Sequence, residues 1–133
     1  MNLLSRHTDY AVRALLYMAN RVGERVSSMD IHRDLKLPRP FMRKTLQVLQ
    51  KEGYLVSVKG HKGGFMLAMP PQKIRLIGLM RIFQGDISLS DCLFRKKLCR
   101  CVAVCPLRRE IKSMEAVLVD RLSGVSLADL MVR

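Results

Sequence analysis

Long hydrophobic runs are missing from this chain: no apolar stretch approaches the ~18 residues that suggest a membrane-spanning helix. The opening Met1-Asn2-Leu3-Leu4-Ser5-Arg6 has neither an apolar signal-peptide core nor a small-residue cleavage site. Both absences point to a cytoplasmic protein with no membrane partner. Internal repeats and low-complexity segments are lacking too. Acidic residues are scarce: 11 Asp and Glu stand against 24 Lys and Arg, a formal net charge of +13. Gly53 to Gly85 holds no acid at all, while Lys59, Lys62, Lys73, Arg75 and Arg81 fall there. Such a surface selects a polyanion as partner, because neutralising phosphates releases counterions. A solvated basic surface, or adhesion to anionic lipid, is the plainer reading of the charge alone. Paired carboxylates, a nucleophile motif and a cofactor site are absent, and His7, His32 and His61 are scattered, so an enzyme is not expected.

What is present begins with a core. Apolar residues make up 49% of 133, enough for one compact domain with an extension. Pro70-Pro71 marks the change, dividing a region 1–75 with 14 basic and 5 acidic residues from 76–133 with 10 and 6.

Thr8 to about Val22 reads as a helix, capped by Thr8, with Asp9 at its positive end and Tyr10, Ala14, Leu15, Met18 and Val22 as its apolar stripe; Gly23 closes it. Ser27 or Ser28 caps a short helix through Ile31 and Leu35. Lys36-Leu37-Pro38 is a turn, and Pro40 suits the first turn of a third helix that runs to about Glu52. Phe41, Met42, Thr45, Leu46 and Leu49 form its buried side; Arg43, Gln47, Gln50 and Lys51 fall on the other, with Arg39 at the start and Lys44 beside them. Two strands follow, Tyr54 to Val58 and Gly64 to Ala68, around the basic, glycine-rich tip Lys59-Gly60-His61-Lys62-Gly63.

The expected fold is therefore mainly α with a small β-hairpin: a winged helix-turn-helix domain plus a C-terminal dimerisation helix. The candidate DNA contacts are Ser28, Arg39, Pro40, Arg43, Lys44 and Gln47 for the helices, with Lys59, His61 and Lys62 at the wing. A protein-binding adaptor that uses the same basic face is the alternative.

Beyond the boundary, Leu76 to Phe83 make a short apolar helix ending at Gly85. Pro106 opens another, to about Leu122, on which Leu107, Ile111, Met114 and Leu118 recur at spacings of four and three, a seam for a homodimer contact or for packing on the winged domain. Ser126 caps a last turn from Leu127 to Leu130. Between the two helices lie all four cysteines, Cys92, Cys99, Cys101 and Cys105, in a stretch rich in Lys and Arg. Thiolates are soft ligands for iron–sulfur clusters or Zn, and basic surroundings favour the thiolate form. A thiol redox switch is the second option and Zn the third, since Cys99-x-Cys101 is tighter than the usual separation of ~2–4 residues in zinc sites.

Several blocks resemble the Rrf-two family of bacterial winged-helix transcription regulators. Thr8-Asp9-Tyr10-Ala11-Val12-Arg13-Ala14-Leu15 is similar to its first helix, and Pro38-Arg39-Pro40-Phe41-Met42-Arg43-Lys44-Thr45-Leu46 to its recognition helix. Val58 to Ala68 resembles its glycine-rich wing, and Ser126-Leu127-Ala128-Asp129-Leu130 its C-terminal turn. The resemblance implies a homodimeric regulator, a repressor among the expected types, on a near-palindromic operator of double-stranded DNA. It also implies that operator occupancy is set by an iron–sulfur cluster, of the two-iron or four-iron type, or by another signal. Cys92, Cys99 and Cys105 match the family's three cysteine ligands, and Cys101 is extra, an alternative ligand or a redox thiol. The iron–sulfur-assembly type places a histidine ligand three residues after the last cysteine, where this chain has Arg108. The nitric-oxide-sensing type uses an aspartate of the partner subunit, which Asp9 matches; stabilisation of the helix N-terminus explains Asp9 equally well.

Overall fold

The computed structural model describes residues 3–60, 63–89 and 105–132. Its elements are α1 (Arg6–Ala19), α2 (Ser28–Leu35), α3 (Arg39–Lys51), β1 (Leu55–Val58), β2 (Gly64–Leu67), α4 (Leu76–Gln84) and α5 (Pro106–Ser123). Short 3-10 turns occupy Pro71–Lys73 and Ala128–Leu130. Three helices followed by an antiparallel hairpin, with Leu55 opposite Leu67 and Val58 opposite Gly64, reproduce the winged helix-turn-helix order.

Helical spacing explains the core. Ala11, Ala14, Leu15 and Met18 of α1 meet Ile31 of α2 and Met42, Leu46 and Leu49 of α3 in one buried cluster, joined by Ile74, Leu79 and Leu127. Removing a side chain of this size from water contributes ~1.5–3 kcal/mol. Leu127 reaches the cluster because the C-terminal segment folds back: its N–H donates to Ile74 O at 2.8 Å, and Leu76 N–H donates to Val125 O at 3.0 Å. The far end of α5 is thus tied to the head of the molecule.

Two details of the first helix differ from the sequence reading. Its cap is Ser5, whose hydroxyl accepts the Thr8 N–H, whereas Thr8 lies inside the helix and is fully buried. The Thr8 hydroxyl instead donates to the side chain of residue 84, far off in sequence. The helix also stops at Ala19, leaving Val22 85% exposed rather than in the apolar stripe. Turn bonds from Arg21 N–H to Met18 O and Glu24 N–H to Arg21 O redirect the chain so that Val26 can pair with Phe65.

Candidate nucleic-acid interface and cysteine segment

Ser27, not Ser28, caps α2. Its hydroxyl accepts the Asp30 N–H at 3.2 Å while the Asp30 carboxylate accepts the Ser27 N–H at 2.9 Å, a capping box that leaves Ser28 half-buried as the first helical residue. Just before it, Val26 exchanges both backbone hydrogen bonds with Phe65, 3.0 and 2.8 Å, adding a third short partner to the hairpin. Gly64 permits that approach: a Cβ there would sit 2.7 Å from Val26 O. The root of the wing and the start of α2 are therefore one unit.

The turn between α2 and α3 is equally fixed. Lys36 takes the left-handed conformation at φ 58°, its N–H returning to His32 O, and His32 Nδ1 bonds Leu37 O at 2.7 Å. Leu37 is buried beneath, and Pro40 sits in the first turn of α3. From there Met42, Thr45, Leu46 and Leu49 point inward, and Arg39, Pro40, Arg43, Lys44 and Gln47 are exposed. Helix α3 contains no acid. Among the described residues, none of Arg39, Arg43, Lys44 and Lys59 makes an ion pair, whereas Arg13, Arg33, Arg81 and Lys112 all do. Four unpaired cations on a helix and its neighbouring hairpin are what phosphate and base-edge contacts require. Lys59 is exposed at the end of β1; His61 and Lys62 lie outside the described residues.

A polar contact also joins α1 and α2. The Tyr17 hydroxyl donates to Asp34, Arg33 pairs with the same carboxylate at 3.0 Å, and the Arg21 guanidinium lies 3.7 Å over the Tyr17 ring. The Tyr17 hydroxyl bond, followed by that from Arg33, holds the Asp34 carboxyl below the usual carboxylate range.

Of the cysteine segment, Cys105 is described: it is half-buried at the N-cap of α5. Cys92, Cys99 and Cys101 lie outside the described residues. Among the described residues no three His, Cys, Asp or Glu gather closely enough to hold a metal ion. Asp9 pairs within its own helix with Arg13 at 3.0 Å. Four thiols within fourteen residues of sequence suit a cluster or a thiol couple, and the entry to that stretch is held: Glu115 of α5, 7% exposed, accepts the Leu89 N–H at 2.9 Å and pairs with Lys112 at 3.2 Å. Of the proposed dimer seam, Leu107 and Met114 are exposed, and Ile111 and Leu118 are half-buried. Sequence reasoning missed Glu115, because a polar residue off the apolar seam gives no sign of burial. No described helix is long and apolar enough to cross a membrane.

Residues 4–133 match the Rrf2 family, whose description is "Iron-dependent Transcriptional regulator". A "Putative HTH-type transcriptional regulator" of Aquifex aeolicus is 32% identical over 130 residues, which cover 96% of this chain and 90% of that protein. The structure of CymR, the global cysteine regulator of B. subtilis, superposes with a TM-score of 0.81 at 22% identity, covering 98% of this chain and 96% of that one. That of T. potens IscR superposes with a TM-score of 0.66 at 26% identity, covering 96% and 84%.

Proposed function

The chain belongs to the Rrf2 family of transcriptional regulators, and from that premise we propose that it binds a near-palindromic DNA operator as a homodimer. We further infer that an iron–sulfur cluster held by Cys92, Cys99 and Cys105 tunes that binding. The observation that carries the DNA part is the acid-free, exposed face of α3, where Arg39, Arg43 and Lys44 stand without ion-pair partners among the described residues. Arg39, Arg43 and Lys44 would enter the major groove, assisted by Pro40 and Gln47, and Ser28, Lys59, His61 and Lys62 would meet backbone phosphates or the minor groove. The exposed Leu107 and Met114 of α5 would pair with a second copy.

The thiol set, the family's iron-dependent description and the likeness to T. potens IscR support the cluster. Asp9 of the partner subunit or Cys101 would supply the remaining ligand. When bound, such a cluster would cross-link the segment between α4 and α5; this chain's own residues would then carry the change. Cys105 begins α5 and Glu115 of the same helix holds Leu89, so a shift at either end of the segment acts on the helix that joins the two copies. The fourth thiol favours a second reading, in which Cys101 and a neighbour switch by thiol oxidation.

Purification without oxygen, with iron and acid-labile sulfide measured per monomer beside operator affinity, tests the reading. Stoichiometric iron and sulfide, lost in Cys92→Ser and Cys105→Ser together with the regulated part of DNA affinity, are expected. Iron-free protein whose DNA affinity responds to thiol oxidants would replace the cluster with the thiol switch.

A further inference from the structure

The last residue of α4, Gln84, makes three hydrogen bonds to the segment that begins α1. Its Oε1 accepts from the Ser5 N–H at 2.9 Å and from the Thr8 hydroxyl at 2.7 Å, and its Nε2 donates to the Leu3 carbonyl at 2.8 Å. This pattern fixes the amide orientation, because the flipped group would set its NH2 against the Ser5 N–H and its oxygen against the Leu3 carbonyl. The single hydroxyl proton of Thr8 goes to Gln84, so the Ser5 hydroxyl is the donor in the 3.0 Å Ser5–Thr8 contact while it also accepts the Thr8 N–H. Thr8 is fully buried, and loss of Gln84 would remove the acceptor its hydroxyl uses and force that proton back onto Ser5 Oγ, disturbing the α1 cap.

His7, within the segment so held, stacks on Phe41 with centroids 4.5 Å apart and planes at 21°, and Tyr10 meets the same ring edge-on at 5.5 Å. Phe41 lies in the first turn of α3, between Arg39 and Arg43. The N-cap there is Pro38, which makes no side-chain capping bond, and no acid stands in the first turn. Tertiary contacts must therefore orient that turn. A cleft of about 380 Å³ opens among His7, Phe41, Lys44 and Phe83, so the aromatic contact is not backed by close packing all round.

We propose that Gln84 is a positioning residue for DNA binding: through Leu3, Ser5 and Thr8 it seats His7 and Tyr10 on Phe41, and so sets how α3 presents Arg39 and Arg43. The inference rests on the reading of α3 as the recognition helix. Gln84 directly precedes Gly85, whose φ of +79° turns the chain out of α4, so this side chain ties that helix end to the segment that begins α1.

The test is a double-mutant cycle on the full-length protein, with affinity read by fluorescence anisotropy on DNA selected by the wild type and unfolding midpoints read alongside. Gln84→Ala and Phe41→Leu should each weaken binding about five- to tenfold, and the double variant should bind no more weakly than the worse single. Gln84→Ala combined with Lys59→Ala should instead multiply. Gln84→Glu keeps both acceptor bonds but sets an oxygen against the Leu3 carbonyl, so it should recover part of the affinity, whereas Gln84→Leu, similar in volume, should recover none. Should Gln84→Ala fail to fold, Thr8→Val removes one of the three bonds and carries the same cycle. Multiplicative losses for Gln84 with Phe41, or a folded Gln84→Ala with wild-type affinity, would overturn the proposal alone. A wild type that selects no DNA would overturn the recognition-helix reading and the proposal with it.

Discussion

Helices α1 and α5 are 14 and 18 residues long, and they bury opposite things. In α1 the buried residues are Thr8, Ala11, Ala14, Leu15, Tyr17, Met18 and Ala19, half of the helix. In α5 the buried residue is Glu115, a carboxylate, while Leu107, Met114 and Val117 are 68, 54 and 66% exposed. Most helical stability in proteins comes from packing an apolar face, not from propensity. The head around α1 closes its core within one chain. The exposed apolar side of α5 calls for a cover from outside, and a second copy of the same helix is the cover proposed above.

The sharpest way to break this contrast is to damage each side in turn. Leu46 is fully buried in the head. Leu46→Ala should cost ~2–5 kcal/mol, read as a lower urea midpoint at nearly constant slope, because the cavity cannot fully collapse. Met114→Glu should act elsewhere, setting two carboxylates against each other across a symmetric interface. Dimer dissociation should strengthen by about 100-fold, or ~2.7 kcal/mol, in sedimentation equilibrium, while far-ultraviolet dichroism stays that of folded protein. An unchanged oligomeric state in Met114→Glu would mean that α5 is covered by something other than its own copy.

The two regions also differed in how legible they were in sequence. The two faces of α3 follow from local spacing, since Met42, Leu46 and Leu49 repeat at helical intervals with charge between them. Hairpin, turn and last cap were readable for the same reason: Gly64, Pro38 and Ser126 mark them with local chemistry. Hidden were the features that depend on residues far apart. The cap of α1 is Ser5 and not Thr8, and the Thr8 hydroxyl inside the helix donates to Gln84, 76 positions away. Glu115 is buried because Leu89 N–H meets it, and Val26 joins the hairpin through Phe65; neither partner is implied by the residue's own neighbours.

Within the head, the comparison sharpens between helix and wing. Arg43→Ala should cost ~1–3 kcal/mol of operator affinity and relax specificity at one base position, because a base-edge contact carries sequence information. Lys59→Ala should weaken all sequences alike and lower the salt slope by about one, as loss of one phosphate contact does. Both are read from binding curves at several salt concentrations on operator and on scrambled DNA. Equal loss of specificity from the two would put a base contact on the wing.

The smallest effect concerns two carboxylates, one at each end of the comparison. Asp129 accepts the Ser126 N–H at 2.8 Å and its hydroxyl at 2.9 Å, in the turn that ties the end of α5 to Ile74. The backbone bond first and the hydroxyl bond second hold Asp129 below the usual carboxylate range, as the Tyr17 hydroxyl does Asp34 in the head. A depressed folded pKa contributes stability that is present above the ordinary carboxylate value, ~3.9, and lost as pH falls through the folded one. The urea midpoint should therefore drop on the acid side, and Asp129→Asn should flatten that slope while changing the neutral midpoint little, since an Asn oxygen still accepts both bonds. Asp34→Asn should flatten it too, through the head. If the two effects add, the C-terminal tie and the α1–α2 contact melt as one cooperative unit. If Asp129→Asn changes the acid slope of α5 fluorescence labels but not that of the core, the tie opens by itself, and α5 can swing while the head stays folded.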